Sequence, residues 1–467
     1  MSIVTPIKND EWTTAIELLG YENFALQTLN LITEADPPFT LTISGRWGAG
    51  KTSMLKTLMH CLGGNPLQSE MASFFHNETF PELSSALLKS WIEQKKDSHS
   101  KYTTKCVWFN PWQFQHDLNP VIPLLHEIRA QLGGEKKVLD KDSTVQVYAE
   151  AGMQGIANLA DTAMQMIGFS RFGAFSTITK TLKESNEARL KDNFLHPLDS
   201  QRFYLHFEAA IKLLVSPKAD NEGRLVIFID DLDRCSNEVV FALLESIKLY
   251  LSSRYCVFVF GLDRVHVEQA VEVAGKYTPQ EAAQYVEKLF QVNLILPKPI
   301  ITDLFKEKFF AGIEYLQSDL VDMLPANPRA IKNFLNGFRH YRNFYYNGGT
   351  PEQKRDERLI LVHLLRYFFP DAYELLQQFS SDVLVDLLQV MRGETDFNNQ
   401  RQAYLHHILE NPLLHSTSSS PMDKDRFRIV RVGAWKSKSM NVFFEKFANT
   451  FHNNPDLLSQ YLDNTSR

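Results

Sequence analysis

The feature that most constrains this chain is a strand, loop and helix pattern over residues 39–60. Its loop matches the phosphate-binding consensus G-x-x-x-x-G-K-T at every fixed position and reads Gly45-Arg46-Trp47-Gly48-Ala49-Gly50-Lys51-Thr52. The β-rich run Phe39–Ser44 precedes the loop, and apolar residues at helical spacing follow it in Ser53–His60. The pattern predicts an α/β fold that binds a nucleoside triphosphate. A glycine turn before an ordinary helix is the alternative.

Each residue type in the loop has its own physical role. The glycines let successive backbone N–H groups turn towards a phosphate. Lys51 brings positive charge to the β and γ oxygens, Thr52 offers a hydroxyl to Mg²⁺, and the helix N-terminus adds favourable potential. With ATP and Mg²⁺ as the predicted cofactors, nine consecutive residues are predicted to contact the nucleotide: Gly45, Arg46, Trp47, Gly48, Ala49, Gly50, Lys51, Thr52 and Ser53.

A second pattern, at residues 224–231, predicts hydrolysis as well as binding. The apolar run Leu225–Ile229 is typical of a strand buried on both faces of a parallel sheet, and it ends in Asp230 and Asp231. This is the Walker B pattern. Asp230 is predicted to hold Mg²⁺ together with Thr52, and Asp231 to orient or deprotonate the attacking water. The alternative is that the two carboxylates only solvate the strand end.

Three further apolar runs predict strands, at 105–110, 255–261 and 290–297. Helical periodicity separates them, notably at 239–251 and 267–273. This alternation predicts a parallel five-stranded sheet with helices on both faces. The two nucleotide motifs lie about 180 residues apart with a strand between them, which favours the additional-strand class of P-loop ATPases.

Seven sequence blocks follow one another in a recognisable order, at residues 19–25, 45–53, 108–112, 229–235, 260–264, 285–291 and 327–332. Together they resemble the KAP family of P-loop NTPases, which is related to the STAND and AAA-like ATPases. The resemblance covers about residues 12–345. It implies an ATPase that works as a molecular switch, as a homo-oligomer or with a separately encoded effector protein. It also implies a setting in bacterial anti-phage defence.

The resemblance further implies roles for individual residues. Arg329 matches an arginine of a helical lid, where a guanidinium reads the γ-phosphate and couples its loss to domain movement. Asn110 is predicted to hold Asp231 in or out of the attacking position, with capping of the turn before Pro111 as an equal alternative. Three residues are predicted to line the adenine pocket, with core packing as an equal alternative: Leu19, Gly20 and Tyr21.

The rest of the chain divides into predicted segments. Residues 1–300 are predicted to form the NTPase core with a helical insertion at about 135–195, followed by a helical lid at 301–346 and an α-helical domain at 347–467. Many relatives carry membrane spans where this insertion lies. Here Asp161, Arg171 and Lys180 interrupt the apolar residues, so no run approaches the roughly 20 that a bilayer needs. The sequence predicts no transmembrane segment, although contact with a membrane surface is an alternative.

Composition bears on the number of domains, the binding partners and the location of the protein. The 467 residues are 44% hydrophobic, enough for two or three cores. A net charge of −6 gives no overall attraction to nucleic acid, and the basic residues around Trp435 are favoured as a solvated surface over a phosphate-binding cluster. The four cysteines lack metal or disulfide spacing, and the N-terminus lacks a leader pattern, which predicts a cytoplasmic protein. A scaffold with little turnover and a nucleic-acid-stimulated motor are the alternative functions.

Overall fold

The computed structural model of the chain describes residues 16–66, 83–97, 102–116, 120–133, 151–152, 154–159, 199–216, 222–249, 253–300, 302, 306, 309–324, 327–346, 352–378, 380–410, 438–452 and 455–463. Most of the predicted insertion at 135–195 and the basic cluster around Trp435 therefore lie outside the described residues. The structure divides into two compact units. One comprises Trp12–Glu17 and Tyr21–Pro297, and the other Met1–Glu11, Leu18–Gly20 and Lys298–Arg467.

The unit that contains the P-loop alternates strands and helices. Its strands are β1 (Phe39–Ser44), β2 (Tyr102–Phe109), β3 (Glu222–Ile229), β4 (Cys256–Leu262) and β5 (Val292–Ile295). Its helices are α1 (Glu22–Glu34), α2 (Lys51–Cys61), α3 (Ala86–Asp97), α4 (Val121–Gly133), α5 (Asp199–Val215), α6 (Asn237–Leu249), α7 (Arg264–Gly275) and α8 (Pro279–Leu289). Short 3₁₀ helices span Ile16–Leu19, Pro111–Phe114 and Leu232–Arg234.

All five strands form one parallel sheet in the order β2-β3-β4-β1-β5. The predicted parallel sheet is confirmed. Strand β4 follows β3 in the chain but lies between β3 and β1, so the strand that leads into the P-loop and the strand that ends in two acids are not direct neighbours. Because β4 pairs with both, Ile43 of β1 is opposite Gly261, and Ile229 of β3 is opposite Phe260.

Both faces of the sheet are covered. Leu225, Ile227 and Ile229 of β3 lie in a hydrophobic core with residues of α4 to α8, whereas Val226 and Phe228 point to the opposite face and are equally inaccessible to solvent. A strand that is buried on both faces has no polar positions to alternate with its apolar ones. This explains the continuous apolar run read from the sequence.

The C-terminal unit is helical. Its helices are α9 (Gln317–Met323), α10 (Pro328–Tyr346), α11 (Gln353–Phe368), α12 (Pro370–Gln378), α13 (Ser380–Met391), α14 (Gln400–Glu410), α15 (Lys438–Phe451) and α16 (Pro455–Asp463), with a 3₁₀ helix at Glu314–Leu316. Pro328 opens α10 at the position where proline suits a helix best, because a residue in the first turn needs no N–H for an intrahelical hydrogen bond and proline has none.

One predicted helix is wrong. Residues 303–316 are predicted to be a helical part of the lid, but residues 310–313 leave the helical conformation and a 3₁₀ helix begins at Glu314. Gly312 has a φ of 79°, a conformation in which a right-handed helix cannot continue. The Glu314 side chain accepts a hydrogen bond from the Gly312 N–H at 2.7 Å and stabilises this turn.

Membrane-spanning character can be judged for the helices that the structure describes. None of them combines the length and the apolar character that crossing a bilayer requires.

Candidate functional site

The P-loop connects the end of β1 to the start of α2. Gly48 and Gly50 have φ angles of 78° and 100°, which a residue with a Cβ rarely adopts. Gly50 is the residue before the first helical position, so its left-handed backbone directs the N-terminus of α2 towards the loop. Exposed backbone N–H groups at a helix start, next to a glycine loop, form a binding site for anions.

The lysine of the loop is held by the loop itself and by an acid. The Nζ of Lys51 donates to the carbonyl oxygen of Gly45 at 2.8 Å and lies 3.8 Å from the Oδ2 of Asp233. Lys51 is only 7% exposed. Asp233 is the third acid after β3. The sequence does not predict its contact with Lys51, because the position of a carboxylate in a short helical turn does not indicate which cation it will face.

A threonine and an acid meet beside the loop. The Oγ1 of Thr52 donates to the Oδ2 of Asp230 at 2.6 Å, and Asp230 is 2% exposed. Burial and the charge of Asp231 raise the pKa of Asp230, and the hydrogen bond from Thr52 and the charge of Lys51 partly oppose that rise. A buried carboxylate next to further carboxylates is stabilised by a nearby cation.

A glycine in β4 makes this meeting possible. Gly261 lies between β1 and β3, directly in the path from Asp230 to α2. A Cβ at this position would lie 3.0 Å from the Oδ1 of Asp230 and 2.4 Å from the Cδ1 of Leu55 in α2. The absence of a side chain therefore lets the helix and the acid pack across the intervening strand. Sequence reasoning missed this residue, since its neighbours depend on the lateral order of the strands.

The second acid of the pair is fixed in an unusual backbone conformation. Asp231 has a φ of 58°, in the left-handed region that few residues other than glycine adopt. Its Oδ2 accepts from the Nδ2 of Asn110 at 3.1 Å, and its Oδ1 forms an ion pair with the Nε of Arg234 at 2.8 Å. Burial raises the pKa of Asp231, and the Arg234 guanidinium opposes the rise.

Asn110 combines two contacts that the sequence presented as alternatives. Its Oδ1 accepts from the backbone N–H of Trp112 at 3.1 Å, which caps the 3₁₀ helix at Pro111–Phe114. Its Nδ2 donates to Asp231. Residues from the ends of β2 and β3 are thereby joined at the same edge of the sheet as the P-loop.

Tyr21 contacts the outside of the loop. The tyrosine is inaccessible to solvent, and its hydroxyl donates to the carbonyl oxygen of Ala49 at 3.0 Å. Leu19 and Gly20 belong to the other unit, where the Leu19 carbonyl accepts from the N–H of Ile300 at 3.0 Å. The predicted adenine contacts of these three residues stay a prediction.

Arg329 also lies in the C-terminal unit, in the first turn of α10. The Oδ1 of Asn327 accepts from the N–H of Ala330 at 3.0 Å and so satisfies a donor that the helix start leaves without an intrahelical partner. The role of Arg329 as a sensor of the nucleotide stays a prediction.

The oxygen atoms beside the loop fit Mg²⁺. Among the described residues, no group of three or more histidine, cysteine, aspartate or glutamate side chains is arranged to hold a metal ion. Thr52 and Asp230 instead offer one hydroxyl and one buried carboxylate, both hard oxygen ligands. Mg²⁺ is commonly bound in this manner, by one or two protein oxygens with phosphate oxygens and waters completing the shell.

The sheet order, the glycine loop, Lys51, Thr52 and the acids after β3 together define a P-loop NTPase with an additional strand between its two nucleotide motifs. The family model described as the KAP family P-loop domain matches residues 21–345. The chain therefore belongs to the KAP family of P-loop NTPases, and the matched residues include the loop at 45–52.

Other comparisons add little. No curated protein matches the chain. A solved structure of the Aeropyrum pernix ORC2 protein in ADPNP-ADP complexes is 10% identical, with a TM-score of 0.33, over 96% of this chain and 97% of that chain. The ADP form of the same protein is 11% identical, with a TM-score of 0.27, over 98% and 95% of the two chains. Likeness at this level says nothing about the function of this chain.

Proposed function

We propose that this chain binds ATP with Mg²⁺, hydrolyses the ATP and changes conformation or assembly with the state of the nucleotide. The observation that carries the proposal is the Thr52–Asp230 hydrogen bond of 2.6 Å at the start of α2, with Asp231 adjoining it. A hydroxyl and a carboxylate at that point support metal binding, and the adjoining carboxylate supports activation of water.

The binding step uses the P-loop. Backbone N–H groups of the loop and of the first turn of α2 donate to the phosphates, and Lys51 exchanges its contact with the Gly45 carbonyl for phosphate oxygens. Thr52 and Asp230 hold Mg²⁺. When bound, this ion supplies positive charge that stabilises the charge developing on the phosphate oxygens.

The chemical step uses Asp231. Its carboxylate accepts a hydrogen bond from the attacking water, orients that water towards the γ-phosphate and takes up its proton. Asn110 and Arg234 each contact one oxygen of the carboxylate, so the group has little freedom to rotate. A carboxylate that is already oriented loses less entropy when the reaction begins.

Two substitutions separate these steps. Asp231→Asn is expected to bind Mg-ATP within a few-fold of the unaltered chain and to lose turnover by about 10²–10³-fold, as for other preorganised catalytic groups. Asp230→Asn is expected to weaken the dependence of nucleotide binding on Mg²⁺. Calorimetry with and without Mg²⁺, beside a phosphate-release assay, measures both effects, and exposed Asp371→Asn is the control. Normal turnover in Asp231→Asn would mean that another group activates the water.

A lid at residues 301–346 that follows the nucleotide state is part of the proposal, with Arg329 as its sensor. Arg329→Ala is expected to bind ATP within a few-fold of the unaltered chain, to hydrolyse it about 10²–10³-fold more slowly and to show no change in compactness on adding ATP. Small-angle scattering with and without nucleotide measures compactness, and exposed Arg355→Ala is the control. Normal hydrolysis and normal rearrangement make Arg329 a structural cation.

The family suggests a biological setting. We propose that the chain assembles with copies of itself or with a separately encoded effector, as the regulatory ATPase of a bacterial anti-phage system; this rests on analogy within the family. Sedimentation with and without ATP tests the assembly. Phage challenge of cells carrying the chain with its neighbouring genes, compared with Lys51→Ala, tests the setting, and equal plaque counts for both contradict it.

A further inference from the structure

One arginine beside the site brings three segments of the chain together. The Arg234 guanidinium lies over the ring of Trp47 at 5.5 Å and over the ring of Trp112 at 5.4 Å, measured to the ring centroids. Its Nε forms the 2.8 Å ion pair with Asp231. Trp47 belongs to the P-loop, Trp112 to the turn after β2, and Arg234 to the turn after β3.

Each contact has a distinct physical character. A guanidinium over an indole face is attracted by the negative potential of the ring, and the planar group can stack on two rings at once. In this position the Nε lies 2.8 Å from the Oδ1 of Asp231, close enough for an ion pair although its N–H makes no hydrogen bond. Trp47 and Trp112 are 44% and 43% exposed, so neither indole is buried as a core residue.

The geometry links two parts of the site that differ in function. Trp47 moves with the P-loop, which encloses the phosphates, while Asp231 is the group proposed to orient water. Arg234 joins them through one rigid planar group. A shift of the loop on binding phosphate is therefore transmitted to the carboxylate without any contact between Arg234 and the nucleotide.

We propose that Arg234 is a positioning residue for hydrolysis, held between Trp47 and Trp112 so that the state of the P-loop sets the orientation of Asp231. The inference rests on the proposed hydrolysis of ATP. It assigns the two tryptophans a role in turnover that is separate from binding the nucleotide.

Trp112 gives the sharpest test, because it lies outside the P-loop. Trp112→Leu is expected to lower kcat several-fold while the affinity for ATP changes less than about twofold, and Trp112→Phe, which keeps a ring face, is expected to restore most of the turnover. Arg234→Ala is expected to lower kcat by about 10–100-fold with a similarly small change in affinity. Exposed Tyr404→Leu in α14 is the matched control and should leave both quantities unchanged.

A double-mutant cycle separates positioning from general loss of structure. If Trp112 acts through Arg234, Trp112→Leu has no further effect on kcat in the Arg234→Ala background. Tryptophan emission gives a readout that does not depend on turnover. A non-hydrolysable ATP analogue is expected to change the emission of the unaltered chain, and Trp47→Phe should remove most of that change.

The outcomes are distinguishable. An unaltered chain that binds ATP without turnover overturns the proposed hydrolysis, and the role of Arg234 with it. Turnover in the unaltered chain that Arg234→Ala retains in full overturns only the inference about Arg234. Equal losses for Trp112→Leu with and without Arg234 show that the indole acts elsewhere, which also overturns the inference.

Discussion

Two clusters of buried charged groups in the described part of the chain are built differently. In the P-loop unit, Lys51, Asp230 and Asp231 meet at the ends of strands, and Lys51 contacts the carbonyl of its own loop. In the C-terminal unit, Arg342 of α10 contacts the Oδ2 of Asp356 of α11 through its Nε at 2.9 Å and its Nη2 at 2.8 Å. Tyr315 completes that cluster by donating to Asp356 and accepting from Arg342.

The difference shows that buried charge alone does not define a functional site. Asp356 is inaccessible to solvent and the Arg342 guanidinium lies next to its Oδ2, so the carboxylate charge is compensated within the unit, while its Oδ1 is buried without a hydrogen-bond partner. At the P-loop, three acids follow β3 and two cations, Lys51 and Arg234, face them. Burial and the neighbouring carboxylates raise the pKa of Asp230, so a further cation at this point is favourable. We expect the first arrangement to contribute to stability and the second to contribute to binding of a ligand.

The largest expected effect concerns the C-terminal cluster. Asp356→Ala leaves the Arg342 charge buried without its carboxylate and is expected to lower the free energy of unfolding by about 3–5 kcal/mol. Chemical denaturation measures this. The exposed pair of Arg355 and Glu352 on the same helix is the control, and Arg355→Ala is expected to cost less than about 1 kcal/mol. If the two substitutions lower the free energy of unfolding equally, the buried Arg342–Asp356 pair is no more important for stability than the exposed pair.

The next effect concerns binding. Lys51→Ala removes a charge-assisted contact to phosphate and is expected to weaken ATP affinity about 100-fold, equivalent to about 2.7 kcal/mol. Calorimetric titration measures the affinity and thermal melting the stability. Lys89→Ala is the control: it removes a lysine side chain from the exposed face of α3 and should leave ATP affinity unchanged. Unchanged affinity in Lys51→Ala rejects the assignment of the phosphate-binding loop.

A smaller effect tests how the acid reaches α2. Gly261→Ala adds a Cβ at 2.4 Å from Leu55 and 3.0 Å from Asp230, and is expected to cost about 1–3 kcal/mol of stability and about tenfold in Mg-ATP affinity. Gly63→Ala is the control, since its φ is 86° but no atom lies within 4 Å of its Cβ position. That control should lose stability without losing affinity. Full Mg-ATP affinity in Gly261→Ala contradicts the role given to the glycine.

The smallest effect is one of pH. Burial lowers the pKa of His363 to about 3, and its Nε2 faces the carbonyl oxygen of Phe334. The unfolded chain takes up a proton near pH 6.5 and the folded chain does not, so stability is full above pH 6.5 and falls below it. At pH 5.5 this histidine is expected to cost about 1.4 kcal/mol. Melting curves at pH 7.5 and 5.5 measure it.

His363→Leu is expected to reduce the pH dependence of stability by that amount, because leucine has no proton to bind. His340→Leu, at an exposed position of α10, is the control and should leave the dependence as it was. If both substitutions change the dependence equally, titration of the buried imidazole is not its origin.

Much of the sheet could be predicted from the sequence because the residues of each strand carry the signal for that strand. Phe39–Ser44 is a strand with the predicted bounds, and the apolar run before Asp230 is buried on both faces as its composition requires. The helix that begins at Pro328 ends at Tyr346, the residue at which the predicted lid ends. These features depend on residues within one element, where periodicity and turn residues are informative.

The contacts that could not be predicted are those between residues of different elements, because they depend on which elements become neighbours in the fold. Asp233 faces Lys51, and Gly261 gives Asp230 its path to Thr52, only because β4 enters between β1 and β3. Arg234 meets Trp47 and Trp112 for the same reason, since three distant segments converge at one edge. The helix Pro279–Leu289 was not predicted as an element, although Thr278 and Glu281 form a capping box around Pro279 that the sequence displays.

The position of β4 has a consequence for synthesis of the protein. Phe39 in the strand that leads into the P-loop pairs with Val257, about 200 residues later in the chain. At roughly 5–20 residues per second, a ribosome needs about 10–40 s to produce the intervening segment. During that interval β1 has left the ribosome with neither of its two neighbours, and an unpaired apolar strand is prone to aggregate. We therefore expect nascent chains that end before residue 256 to require a chaperone, and the nucleotide site to form only after β4 has emerged.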